Sequence, residues 1–213
     1  STTSQTFRIL AIPGSLRRQS HNRAMLNAAA ALAPDGVEVE LYDDLGSIPP
    51  FNEDDEGART PQAVRDLRAR IAAADALLIS TPEYNHSVPG VIKNAVDWVS
   101  RPHGTAEIVG KPTAVMSSSA SAFGGVWAQA ELRKALAASG ARVHEEGVAV
   151  SKSGERFDDD GHLVDEEIAE EAIAEAIVDE EIAEEAVVEA EVDEAVAEDA
   201  VGEAVAEQAA AEA

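Results

Sequence analysis

The chain has 213 residues, no cysteine and a formal net charge of −25. Without thiols it has no disulfide, no thiolate-held zinc or iron–sulfur centre and no thiol relay, so any redox chemistry requires a bound cofactor. The charge is unevenly placed: sixteen Lys and Arg against twenty-one acids up to Leu163 leave −5, and the twenty acids from Asp165 onward carry −20. That balance argues against direct nucleic-acid binding, and no apolar run approaches the ~18 residues of a membrane span. With nothing resembling a signal peptide, the expectation is a soluble, cytoplasmic protein.

Phe7 to Ile12 is a short apolar run that stops at Pro13-Gly14, as a buried strand entering a turn does. Arg23 to Leu32, rich in Ala and Leu, reads as a helix closed by Pro34-Asp35-Gly36. Val37 to Tyr42 alternates with period two, the pattern of a half-buried strand near a sheet edge. The segment from Asp43 to Arg59 is acidic and turn-rich, and reads as a surface loop. Thr60 is expected as an N-cap with Pro61 at the first helical position, and Val64, Leu67 and Ile71 mark the apolar stripe. Ala76 to Thr81 is the next strand, followed by a helix that begins near Pro89. A strand runs from Lys111-Pro112 through Met116, a helix from Val126 to Ala138 stops at Ser139-Gly140, and Ala141 to Val150 supplies the last strand.

Strands alternating with helices through short connections argue for an α/β fold, a flavodoxin-like doubly wound five-stranded parallel sheet. Winding in both directions from the first strand brings the loops after strands one, three and four to one switch point. The unusual residues lie there. In the first loop Gly14 allows a tight turn, Ser15 and Ser20 offer hydroxyls, Arg17 offers a fork of donors, and the helix that follows aims its N–H groups at the same place. This suits a phosphate; a plain N-cap beside a surface arginine is the alternative. A Walker lysine and the G-x-G-x-x-G spacing are both missing. The second loop, Pro82-Glu83-Tyr84-Asn85, can offer amides to a ring edge and an aromatic face, although it also reads as a polar turn. The third, 117–125, is rich in serine and glycine. A phosphate beside a flat ring points to flavin mononucleotide, FMN.

Gly14-Ser15-Leu16-Arg17 with Ser20 and Asn22, then Pro82-Glu83-Tyr84-Asn85 with Ser87, Pro89, Gly90, Lys93, Asn94, Asp97 and Trp98, resembles the NAD(P)H-dependent FMN reductase family, which includes chromate, quinone and azo-dye reductases. The resemblance runs from about Phe7 to Leu163. It implies that Ser15, Arg17, Ser20 and Asn22 hold the FMN phosphate. Pro82, Glu83, Tyr84, Asn85 and Ser117 would surround the ribityl chain and ring, and Arg101 would lie near the open flavin face as a substrate-binding residue. It implies NADPH or NADH as donor, a quinone, azo, nitro or chromate-like oxyanion acceptor, and a homodimer or homotetramer. No side chain need act as general acid or nucleophile. Ser121 stands where the family usually has glycine, which matters if that position needs a positive φ.

From Asp165 the sequence repeats every fourteen residues: Asp165 to Val178, Asp179 to Val192, and a degraded copy from Asp193 to Ala206. The first copy can supply a last helix on the sheet, so the division expected is an FMN-binding domain over 1–178 and an acidic tail over 179–213, helical or disordered. Asp158, Asp160, Gly161 and Glu167 fall at EF-hand spacing, but Arg156 at position one speaks against calcium, and no histidine spacing suits a metal. Two other readings remain: a non-catalytic flavin carrier or redox sensor, and an acidic tail that binds a partner.

Overall fold

The structure is a computed structural model and describes residues 6–145, 147–158, 162–164 and Ile168. The elements in chain order are β1 (Phe7–Pro13), α1 (His21–Ala31), β2 (Val37–Leu41), α2 (Gln62–Ala73), β3 (Ala76–Thr81), α3 (Gly90–Val99), β4 (Pro112–Ser118), α4 (Val126–Ala138), β5 (Arg142–Val143) and β6 (Ala149–Val150). All strand pairs are parallel, in the order β2-β1-β3-β4-β5, with β6 also on β4. This is the doubly wound order, with β1 and β3 flanking the switch point.

Period-two alternation sorts the central strands onto two faces. Leu10, Ile12, Leu77, Ile79 and Val115 join a cluster with Val64, Leu67 and Ile71 of α2, Ile92 and Trp98 of α3, and Leu132 and Leu136 of α4. Ile9, Ala11, Leu78, Ala114 and Met116 join Met25, Leu26 and Ala29 of α1, together with Phe157 and Leu163. Ile168, in the first acidic repeat, packs against this second cluster. The boundary at 178 and everything beyond it lie outside the described residues, as do Asp160, Gly161 and Glu167. β2 alternates between half-buried and exposed positions because it forms the sheet edge. Among the described residues no helix is long and apolar enough to cross a membrane.

Two expectations need correction, and the turn-rich surface loop over 43–59 is more tightly held than its composition implies. The segment between β2 and α2 contains three 3₁₀ turns, at Leu45–Ser47, Glu53–Asp55 and Gly57–Arg59. It is pinned to α3: Asn94 Oδ1 accepts from Phe51 N at 2.7 Å, and Asn94 Nδ2 and Trp98 Nε1 donate to Pro49 O at 2.9 and 2.8 Å. Thr60 does not cap α2. Pro61, with ψ 147, stands outside the helix, and its carbonyl accepts from Val64 and Arg65, so the start moves one residue along.

The last strand is two strands. Thr113 pairs with Val143, but Ser117 pairs with Ala149, so the outer chain spends two extra residues between the pairs. Gly147 explains the detour: a Cβ there would lie 2.5 Å from Val115 O and 2.8 Å from Gln129 Oε1. Gln129 Nε2 in turn donates to Val148 O at 2.8 Å. A regular ladder leaves no room for that glutamine.

Lys152, after β6, has φ 50. A left-handed backbone costs a side chain about 1–2 kcal/mol, partly offset in glycine by chain entropy. Lys152→Gly is therefore expected to raise stability by about 0.5–1 kcal/mol in urea unfolding.

Candidate functional site

The loops after β1, β3 and β4 meet at the carboxyl ends of the strands, and Asn22 joins them. It is 3% exposed. Its Oδ1 accepts from Ser80 Oγ at 2.8 Å and from Ser118 N at 3.0 Å, while Nδ2 donates to Ser118 O at 3.0 Å. The side chain expected on the phosphate is thus spent on holding β3 and β4 against α1.

Gly14 has an ordinary φ; its role is space, since a Cβ would lie 2.9 Å from Ile92 Cγ1 and 3.1 Å from Ser80 O. Ser15 is half-buried, and its Oγ accepts from Arg17 N at 3.3 Å. Arg17 is exposed. Ser20 is buried and caps α1 by accepting from Arg23 N at 3.4 Å. Hydroxyls, a guanidinium and the start of an eleven-residue helix therefore converge here. That donor set fits a phosphomonoester.

The second loop is a two-residue hairpin. Tyr84 and Ser87 exchange both backbone hydrogen bonds at 3.1 Å, with Asn85 and His86 at φ 55 and 59. Tyr84 N–H is therefore committed to the turn, while the Tyr84 ring is 48% exposed. Pro82 is buried. The Glu83 side chain is only 7% exposed, and its Oε2 accepts from Trp127 N at 3.1 Å and Ala128 N at 3.2 Å. It caps α4, whose own N-cap, Gly125, offers no side chain. The other end of the hairpin is tied to α4 as well, because Ser87 Oγ and Val88 N both donate to Glu131. The Ser87 hydroxyl, and then Val88 N–H, hold the Glu131 carboxyl below the usual carboxylate range.

In the third loop Ser117 is fully buried, donating to Gly124 O at 2.7 Å and accepting from Gln129 Nε2 at 3.2 Å. Left-handed backbone falls at Gly124 and Gly125 and not at Ser121, so serine is accommodated there. Ser118 Oγ is buried at the rim without a protein hydrogen-bond partner. Of the seven large apolar side chains that are exposed among the described residues, five (Leu16, Tyr84, Phe123, Val126 and Trp127) lie on these loops or the start of α4. Phe123 and Trp127 meet edge to face at 5.0 Å, as do His86 and Trp127. Beside the phosphate-type donors, this wall suits the flat ring of FMN.

Arg101 is not brought to these loops in its own chain. α3 starts at the rim and runs ten residues back along the sheet, about 15 Å, before Arg101 follows. There Arg101 Nε lies 3.4 Å from Glu56 and its NH2 4.0 Å from Glu53, with the guanidinium over the Phe51 ring at 5.7 Å. It borders a cleft of about 320 Å³ shared with Thr60 and Arg68.

The residues that motif reading did not single out are Gln129, Glu131 and Trp127. All three lie on α4, and they act on loops distant in sequence. Among the described residues no group of three His, Asp or Glu side chains is placed to hold a metal.

A family model described as NADPH-dependent FMN reductase matches residues 7–155. An NAD(P)H-dependent FMN reductase of Pseudomonas aeruginosa is 42% identical over 168 residues, covering 78% of this chain and 90% of its own. A 2-hydroxy-1,4-benzoquinone reductase of a Burkholderia species is 38% identical over 162 residues, covering 76% and 87%. Among solved structures, the flavoenzyme NAD(P)H:(acceptor) oxidoreductase FerB from Paracoccus denitrificans is similar with a TM-score of 0.72 and 33% identity, over 84% of this chain and 98% of that one. With a family model spanning residues 7–155 and a relative 42% identical over most of both chains, the chain belongs to the NADPH-dependent FMN reductase family, whose members are flavin-dependent oxidoreductases.

Proposed function

We propose that the chain carries electrons from NADPH or NADH, through FMN held at the three-loop rim, to a quinone-class acceptor, with azo, nitro and chromate-like oxyanion compounds as further acceptors of the same site. The observation that carries this reading is the pairing of a phosphate-type donor set with an exposed aromatic wall at one switch point, in a chain similar to reductases named for benzoquinone and FMN. Bound FMN supplies two-electron chemistry, accepting from the nicotinamide and delivering to the acceptor.

The protein's part is placement. Ser15, Arg17, Ser20 and the first N–H groups of α1 hold the phosphate. Pro82, Tyr84 and Asn85 line the ribityl and ring portion. Asn22, Glu83 and Ser117 act one step back, holding the loops at their spacing. Arg101 contributes to substrate binding through a second copy of the chain, since its own rim lies a helix length away. A homodimer or homotetramer would also cover the exposed apolar residues of the rim. The same reading carries a cytoplasmic location with it, a compartment in which NAD(P)H is regenerated.

The test is the visible spectrum of the purified full chain before and after anaerobic NADPH. Flavin bands that bleach, and recover on adding benzoquinone, are the expected result. Flavin bands that stay unbleached would favour the carrier reading, and absence of flavin after reconstitution with FMN would end both.

A further inference from the structure

His21 belongs to neither motif, yet it is the first residue of α1, directly after the cap Ser20. Side chains in a helix lean toward its N-terminus, which at this position is toward the loop carrying Ser15 and Arg17. The imidazole stacks on Phe157, with centroids 4.6 Å apart and planes 7° from parallel. Phe157 is itself fixed: it bridges to Leu163, Asp158 N donates to His162 O at 2.9 Å, and Val164 N donates to Arg156 O at 2.9 Å. The ring of His21 is thus stacked on a buried aromatic side chain beside the loop that carries Arg17.

Its charge environment is also defined. Arg17 and Arg18 lie on the loop, Arg23 two residues along α1 pairs with Asp43, and Arg156 and Asp158 flank Phe157, where Asp158 meets His162 Nδ1 at 3.2 Å. Burial, and then the positive charge of Arg17, hold the His21 imidazole below its ordinary value. Both effects favour the neutral imidazole in the flavin-free chain. A phosphate dianion arriving at the loop reverses the sign of the local field and favours the imidazolium.

We propose that His21 is a further member of the phosphate site, taking up one proton as the FMN phosphate binds and pairing with it as an imidazolium. The inference rests on the reading that the first loop holds the phosphate. Because binding raises the pKa of this group, its contribution to affinity is complete below the free-state value and disappears as pH rises through the bound-state value. FMN retention thereby gains a component that strengthens as pH falls.

The phosphomonoester titrates in the same region, near pH 6, so the readout is a difference between proteins. Flavin fluorescence gives the dissociation constant of the flavin-free full chain for FMN and for riboflavin, which lacks the phosphate, from about pH 6 to pH 8. His21→Phe keeps the stack on Phe157 and cannot take a proton; His21→Gln keeps a donor without the charge. We expect FMN binding to both variants to be about tenfold weaker than to the parent chain near pH 6, and nearly equal near pH 8, with riboflavin binding unchanged throughout. Calorimetry in two buffers of different ionisation enthalpy should show that the parent chain takes up more protons than either variant. A parent-to-variant ratio that stays flat with pH, while FMN still binds better than riboflavin, overturns the assignment of His21 alone. If FMN binds the parent chain no better than riboflavin does, the phosphate-loop reading falls, and this inference with it.

Discussion

Replacing Asn22 with leucine is expected to lower the unfolding free energy of the flavin-free protein by about 3–4 kcal/mol, a large share of what a domain of this size has. Leucine matches asparagine in shape but leaves the Ser80 hydroxyl and both the N–H and C=O of Ser118 without the bonds that Asn22 makes at 2.8–3.0 Å. All of these groups are buried, so water does not replace the lost partner, and each unsatisfied group costs about 1–3 kcal/mol. The partners lie 58 and 96 residues away, which makes the change one of tertiary geometry: the ends of β3 and β4 are released from the start of α1. FMN affinity is expected to fall about tenfold as the three loops lose their common spacing. Urea unfolding and FMN titration check the two effects, and an unchanged unfolding midpoint would show that the network does not carry this load.

Glu83→Ala is expected to cost about 2–3 kcal/mol and to loosen the beginning of α4. The buried carboxylate accepts from Trp127 N and Ala128 N, completing a helix end that begins with a left-handed glycine at φ 89 and has no capping side chain of its own. A negative charge at that end is also favoured by the helix dipole. Without it, the first turn of α4 loses its anchor on the second loop, and Trp127, which contacts both Phe123 and His86, loses its fixed position. Glu83→Gln retains an accepting oxygen and the side chain's shape, so it should cost about half as much. Hydrogen exchange at the Trp127 and Ala128 amides is the direct measurement. If these amides exchange no faster in the alanine variant, or if Gln and Ala are equivalent, Glu83 does not act as the cap.

The central strands were legible in the sequence because they are buried on both faces: β3 opens with four consecutive apolar residues, Ala76 to Ile79, and every position of it is buried. α4 was legible because a run of good helix formers ends at Ser139-Gly140. β2 showed its edge position through alternation. Each of these signals is local, set by the repeat of the backbone and the side of the element that meets the core.

One misplaced feature depends on distant contacts and the other on a local backbone choice. The last strand divides because Gly147 passes against Val115 while Gln129 reaches in from α4, a three-way contact that Ala141 to Val150 does not reveal when read alone. The start of α2 shifts because Pro61 takes an extended ψ, which the dipeptide Thr60-Pro61 permits but does not require.

The same division runs through the site. By itself the sequence determined the period of each element, the order of the elements and which loops carry hydroxyls, guanidinium and aromatic side chains, and with these the family. It could not separate the members of the motifs by role. Arg17 stays exposed at the rim, while Asn22, Glu83 and Ser117 turn inward to partners on other strands and on α4, and Arg101 ends a helix length away. Only the tertiary structure decided this, because a buried polar group takes whichever partner the packing of distant segments brings within hydrogen-bond reach.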